Sequence, residues 1–204
     1  MNELVLATRN IHKGAEVAVL LSDLGIKILT LADFPNAPQV IEDGLTCEAN
    51  AIKKASTIAS YTGLPAVADD TGLMVDALNG RPGIYAARYA GEQATYEENW
   101  RKLLQDLEGV PYARRTARFI TVAAVSIPLA QRTAVAEGIL EGIIADRPAG
   151  TEGFGYDPIF FVPQLGKTLA QLSYIEKNRI SHRAKAFRQA KEIIRGAENN
   201  HVGA

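Results

Sequence analysis

The chain has 204 residues, 47% hydrophobic and 22% charged, enough to bury a full core without a disulfide or metal. Its 22 basic and 23 acidic residues leave a net charge of −1, which argues against coating nucleic acid or a membrane surface and makes any anion site a local one. A single cysteine, Cys47, excludes an intramolecular disulfide and a multi-cysteine zinc site, and there is neither a signal-peptide pattern nor an apolar run long enough to span a bilayer. The expectation is one soluble, cytoplasmic domain over 1–196, bilobed, with a flexible tail from 197 to 204.

Leu4 to Ala7 is a short apolar run suited to a central strand, and it leads through Thr8, Arg9, Asn10, Ile11, His12 and Lys13 into a helical pattern. That pattern is Val17, Leu20, Leu21 and Leu24, with Gly25 as its stop. Strand, polar turn and helix together form a phosphate-binding layout, because exposed amides, the helix dipole and the Lys13 ammonium all favour an anion. A plain connection with a solvated Lys13 fits the same residues. Ile26 to Thr30 reads as a second strand and Ala32 to Gly44 as a loop bearing Glu42 and Asp43. Thr46 then caps a helix from Cys47 to Tyr61, with Ile52, Ala55, Ile58 and Ala59 inward and Gly63 ending it.

Pro65 to Ala68 reads as a buried strand that stops at Asp69, Asp70 and Thr71, putting two adjacent acids at a strand's carboxyl end. Side chains alternate across a strand, so the two acids point in opposite directions, one toward a site and one toward the fold. Glu42, Asp43 or Glu48 would complete an oxygen-rich magnesium site with Asp70, although Glu48 equally complements the dipole of its own helix. Both acids of the pair also suit ordinary turn chemistry before Gly72.

Leu73 to Leu78 alternates and ends at the Asn79-Gly80 turn signal, and Arg81-Pro82-Gly83 redirects the chain. Thr95 and Glu98 form a capping box for a helix burying Trp100, Leu103, Leu104 and Leu107. Ala117 to Ile127 and Thr133 to Ile144 are β-rich and read as a long antiparallel pair. Pro148 to Pro158 is too rich in glycine and proline for a regular element; its Phe154 and Tyr156, set between glycines, would offer an aromatic face to a flat ligand or pack into the core, with Asp157 placed to read a ring edge. Finally, Glu176 to Arg183 leads into a helix with Ala184, Phe187, Ala190 and Ile194 inward and Gly196 as its end. With Ser181 as N-cap, His182 and Arg183 fall in the first turn, the wrong end of the dipole for basic residues, and such a local violation marks a candidate site.

Taken in order, TRNIHK (8–13), ADDTG (68–72), GRPG (80–83), FGYDP (154–158) and SHR (181–183) closely resemble the inosine/xanthosine triphosphate pyrophosphatase family, from about Leu4 to Gly196. The resemblance implies an α/β fold, an elongated mixed β-sheet flanked by helices with two lobes around a central cleft. It also implies a homodimeric, Mg2+-dependent enzyme that converts ITP, dITP and XTP to the monophosphate and pyrophosphate. The early lysine turn, the paired acids and the late aromatic and His-Arg segments would then converge on one crevice.

Carried over residue by residue, Asp70 is the catalytic acid and a metal ligand, with Thr71 the hydroxyl beside it. Thr8, Arg9, Asn10, Ile11, His12 and Lys13 hold the triphosphate. Phe154 stacks on the purine, Gly155, Tyr156 and Asp157 complete its pocket, and Lys177, His182 and Arg183 supply donors for a 6-oxo group. Three positions depart from the family pattern: Arg9 stands where a glycine is common, His12 where a small residue is frequent, and Ile41 where some members carry a second acid, leaving Glu42 as the candidate second metal ligand. The competing readings are a nucleotide-binding regulator without catalysis and a general nucleotide pyrophosphatase without 6-oxo preference.

Overall fold

A computed structural model describes residues 1–129 and 131–199. The chain divides into two compact units, one formed by 1–70, 121–138 and the chain from 183 onward, the other by 71–120 and 139–182. Each has its own core. That of the first unit joins Leu4, Leu6, Val17, Leu21 and Val67 to Ala123, Val125, Ala186, Phe187, Ala190 and Ile194. That of the second joins Leu73, Val75, Leu103 and Leu107 to Phe119, Leu140, Ile144, Ile159, Phe160 and Leu169.

In the first unit, strand β1 (Glu3–Leu6) is followed by helix α1 (Ile11–Leu21), strand β2 (Lys27–Thr30) and helix α2 (Cys47–Thr62). Strand β3 (Ala66–Val75) begins here as well. β1 pairs in parallel with both β2 and β3, matching Val5 to Ala66 and Leu6 to Val67. Parallel neighbours need crossovers, and the two amphipathic helices supply them. Asn10 caps α1 by accepting the Lys13 N–H at 3.1 Å, and Thr46 caps α2 by accepting the Ala49 N–H at 3.0 Å; such a cap stabilises by about 1 kcal/mol. Gly25 and Gly63 close these segments at φ 69°, a conformation that glycine adopts without steric cost.

The second unit contains strand β4 (Pro82–Gly83), paired antiparallel with the distal part of β3, and helix α3 (Tyr96–Asp106) behind its Thr95/Glu98 capping box. Strands β5 (Thr116–Ile127) and β6 (Arg132–Ile144) contribute residues to both units. Strands β7 (Phe160–Val162) and β8 (Lys167–Thr168) and helix α4 (Tyr174–Ile180) complete the second unit, and helix α5 (His182–Asn199) follows. The strand order is β2-β1-β3-β5-β6-β7-β8, with β4 on β3, so the fold is α/β with an open mixed sheet flanked by helices.

Four expectations are corrected. β3 does not stop before the acids: it runs for ten residues, so Asp69, Asp70 and Thr71 lie inside a strand. The acids survive there because cations and amides partner them, and they still lie beyond the carboxyl end of β1, whose pairing with β3 stops at Leu6 and Val67. The inner face of α2 buries Ala55, Ile58 and Ala59 as expected, but adds Ala51 and leaves Ile52 half-buried. Ser173 and Glu176 form a capping box that gives 174–180 a helix of its own, and Ser181 closes that helix. Gly196 does not end α5, which continues to Asn199; residues 200–204 of the expected tail lie outside the described residues.

Candidate active site

In the first unit, adjacent residues of β3 face different partners, as strand alternation requires. Asp69 takes Lys13 Nζ of α1 at 3.2 Å and Arg183 Nε of α5 at 3.3 Å, while Arg183 Nη1 reaches Glu16 of α1 at 2.6 Å. Glu16, Asp69 and Arg183 are all buried, so this is a linked chain of charge: Glu16, Arg183, Asp69, Lys13. Burial works against the charge of Asp69, but the Lys13, Arg183 and Lys54 cations outweigh it and hold the carboxyl well below the usual carboxylate range. Burial likewise works against the Arg183 guanidinium, and Asp69 and then Glu16 more than offset it.

Asp70 faces α2 instead. Its Oδ2 accepts from Asn50 Nδ2 at 3.3 Å, and its Oδ1 lies 3.5 Å from Lys54 Nζ. Lys54 also meets Glu42 Oε2 at 3.0 Å, so one ammonium is shared by the two carboxylates expected to hold a metal. Burial disfavours that ammonium; Asp70 first, then Glu42 and Asp69, overcome it and raise its pKa. Cys47, at the start of α2, is pushed up to about 12 by burial and then by the charge of Asp70, so it stays a neutral thiol.

The turn before α1 is held by its own side chains. Thr8 Oγ1 accepts the Asn10 N–H at 3.2 Å, and Arg9 Nη2 donates to the Ala37 carbonyl at 2.8 Å. Arg9 thereby anchors the loop ahead of Glu42. Ile11 and His12 are exposed, and Lys13 is half-buried.

The second unit carries a different cluster. Lys177 Nζ meets Asp157 Oδ2 at 2.6 Å with both side chains buried, and lies 4.9 Å from the centre of the Phe154 ring. The same carboxylate oxygen accepts the Phe154 N–H at 2.9 Å, so Asp157 fixes the loop as well as the lysine. Gly153 has φ +75°, and a Cβ there would lie 2.0 Å from Asp157 Oδ2. Here the glycine makes room for a carboxylate. Tyr156 is buried with its hydroxyl donating to the Ala86 carbonyl at 2.8 Å, and Gly155 adopts φ 65°. Phe154 is half-buried and contacts Tyr96 at 5.7 Å between ring centres. His182 stacks on Phe119 at 4.5 Å, and Thr71 is half-buried.

Among the described residues no three or more His, Cys, Asp or Glu gather as a metal cage. Magnesium needs none: one or two carboxylates, water and substrate phosphate complete its octahedron. Glu42 and Asp70 are hard oxygen donors already converging on one cation, the Lys54 ammonium, so the donor set fits a divalent ion. Sequence reasoning overlooked Glu16, Asn50 and Lys54. The available signal was spacing: Glu16 is three residues past Lys13, and Asn50 and Lys54 are four apart on one face of α2.

The chain as a whole has close relatives among known proteins. A dITP/XTP pyrophosphatase of Geobacter sulfurreducens is 52% identical over 194 residues, covering 95% of this chain and 97% of the relative. One from Shouchella clausii is 50% identical over 196 residues, covering 96% and 98%. Among solved structures, a Ham1 protein from Coxiella burnetii superposes with a TM-score of 0.87 at 44% identity, over 96% of this chain and all of the other. The Staphylococcus aureus Ham1 protein gives 0.85 at 41% identity, over 96% and 100%. Residues 4–193 match the Ham1 family, and with identity at this level over nearly the whole length, the chain belongs to that family.

Proposed function

We propose that this protein hydrolyses deaminated purine nucleoside triphosphates, dITP, XTP and ITP, to the monophosphate and pyrophosphate, cleansing the nucleotide pool. The observation that carries the mechanism is Asp70, a buried carboxylate gripped by one neutral donor and one cation beside a second carboxylate that shares the cation. The names of the close relatives support the substrate class.

In this reading Asp70 accepts the proton of the water that attacks the α-phosphorus, a role worth about 10²–10⁴-fold in rate. Lys13 and Lys54 offset charge that develops on the phosphate oxygens, and the first turn of α1, with Thr8 and Asn10, favours the anion through its amides and dipole. Ile11 and His12 belong to that turn, and Arg9 precedes it. Glu42 and Asp70 would hold Mg2+, which when bound polarises the phosphate oxygens.

The second cluster handles the base. Phe154 stacks on the purine, Gly155 leaves room for its flat face, and Tyr156 and Asp157 brace the loop. Lys177 and His182 supply donors suited to a 6-oxo acceptor, whereas Arg183, expected to join them, is taken up by Asp69 and Glu16. Adenine presents an amino donor at that position and leaves those donors unpaired, which is the strong form of discrimination. Thr71 stands beside the catalytic carboxylate in the sequence. The same reading takes the protein as a cytoplasmic homodimer, which sedimentation velocity would test.

The deciding experiment measures pyrophosphate release from dITP, XTP, ITP, ATP and dTTP with Mg2+. The first three should exceed the last two in kcat/KM by at least about 100-fold. Equal turnover of all five would make this a general pyrophosphatase. No turnover with retained binding would make it a nucleotide-binding regulator.

A further inference from the structure

One buried side chain near Asp70 touches neither phosphate nor base in that reading. Asn50 is only 2% exposed, and it stands inside α2, where asparagine is a poor helix former. Its Oδ1 accepts the Gly44 N–H at 2.8 Å. A backbone N–H can only donate, so the amide oxygen must face Gly44, and Nδ2 must face Asp70 Oδ2, as found at 3.3 Å.

The contact also accounts for Gly44. A Cβ there would lie 2.7 Å from Asn50 Oδ1 and 2.9 Å from the Ala49 Cβ, so the close approach of the loop admits only glycine. Glu42 lies two residues earlier on that loop. Lys54 lies one helical turn after Asn50, so both grips on Asp70 come from one face of α2.

We propose that Asn50 is a positioning residue: it fixes the plane of the Asp70 carboxylate and ties it to the loop that carries Glu42. This rests on the reading of Asp70 as the catalytic base. The amide is the group suited to the task because it donates without charge. A second cation at Oδ2 would fix the carboxylate equally well but weaken it as a proton acceptor, whereas an apolar residue would leave Asp70 free to turn about its Cβ–Cγ bond.

The test compares Asn50→Ala, Asn50→Asp and Asp70→Asn with the parent enzyme. Asn50→Asp is nearly isosteric and keeps an acceptor for Gly44, so it is the variant to read should Asn50→Ala fail to fold. Both Asn50 variants should lower kcat for dITP by about 10- to 100-fold, with KM moving less than about 3-fold, because the residue orients a reacting group and does not hold substrate. A readout apart from turnover is Mn2+ binding followed by electron paramagnetic resonance without nucleotide. Asn50→Ala should weaken it by about 10-fold, as the two carboxylates lose their common anchor.

Folded Asn50 variants with kcat within about 2-fold of the parent, beside an inactive Asp70→Asn, would overturn the role of Asn50 and leave that of Asp70 standing. An active Asp70→Asn would overturn both. A rise in KM at constant kcat would make Asn50 a substrate contact instead.

Discussion

The two clusters solve the same problem, holding polar groups out of water, by different means. In the first unit, charges hold one another: Glu16, Arg183, Asp69 and Lys13 form one chain, and Asp70, Lys54 and Glu42 another, all but Glu42 mounted on regular strand and helix. In the second unit the buried ion pair of Lys177 with Asp157 ties helix α4 to an irregular loop whose shape depends on Gly153 and Gly155 in left-handed conformations. A charge network on rigid elements suits a site where charge develops in the transition state, because the dipoles are already aligned. A loop braced from beneath suits an aromatic surface that need only accept a flat ring.

The largest expected effect separates catalysis from binding. Asp70→Asn should lower kcat by about 10²–10⁴-fold while dITP binding, read by calorimetry, stays measurable. Retained turnover would remove the first cluster's central residue from the mechanism.

Next come the buried pairs. Removing one member of a buried pair strands the other's charge, so Arg183→Met and Lys177→Met should each destabilise the fold by about 3–5 kcal/mol in urea titration. A loss near zero for either would mean that its partner finds water, and that the cluster is looser than its distances indicate. Gly153→Ala should cost about 1–3 kcal/mol through its positive φ and its clash with Asp157. It should raise KM for dITP while leaving Mn2+ binding unchanged; loss of both would make the clusters inseparable.

The pH dependence sharpens the contrast. Asp69 has its pKa depressed in the folded state, so its contribution to stability is present above the unfolded value of about 4 and is lost as pH falls through the folded value. Melting in a chelator should show stability declining from about pH 5 downward, and Asp69→Asn should flatten that decline. An unchanged slope would assign acid unfolding to other carboxylates. The smallest effect belongs to the surface: Arg101 meets Glu97 at 2.6 Å with both side chains exposed, and Arg101→Ala should shift stability by no more than about 0.5 kcal/mol.

Much of this architecture is legible in the chain. Apolar spacing and capping residues place α1, α2 and α3, and the Thr95 and Ser173 capping boxes each follow a Ser/Thr-x-x-Glu pattern. The extent of β3 is not legible, because Asp-Asp-Thr-Gly reads as a turn unless the partners of the acids are known. Those partners come from α1, α2 and α5, distant in sequence, so no local pattern reveals them. The same holds for Gly153 and Gly44: as letters they signal turns, and only the fold shows a carboxylate and an amide occupying the space a methyl would need. Asn50 is not legible because hydrophobic periodicity registers only apolar positions, and Asn50 and Lys54 share a polar strip of α2 directed at Asp70.

The central claim is a division of labour, phosphate to the charged cluster and base to the aromatic loop. Equilibrium binding of deoxyinosine, dIMP and a non-hydrolysable dITP analogue to the parent, Lys13→Ala and Phe154→Ala proteins measures it directly. Lys13→Ala should lose affinity in proportion to the number of phosphates and leave deoxyinosine unaffected, while Phe154→Ala should lose about 1–3 kcal/mol on all three ligands alike. A Phe154→Ala loss that grows with phosphate number, or a Lys13→Ala loss as large on the nucleoside as on the triphosphate, would contradict it.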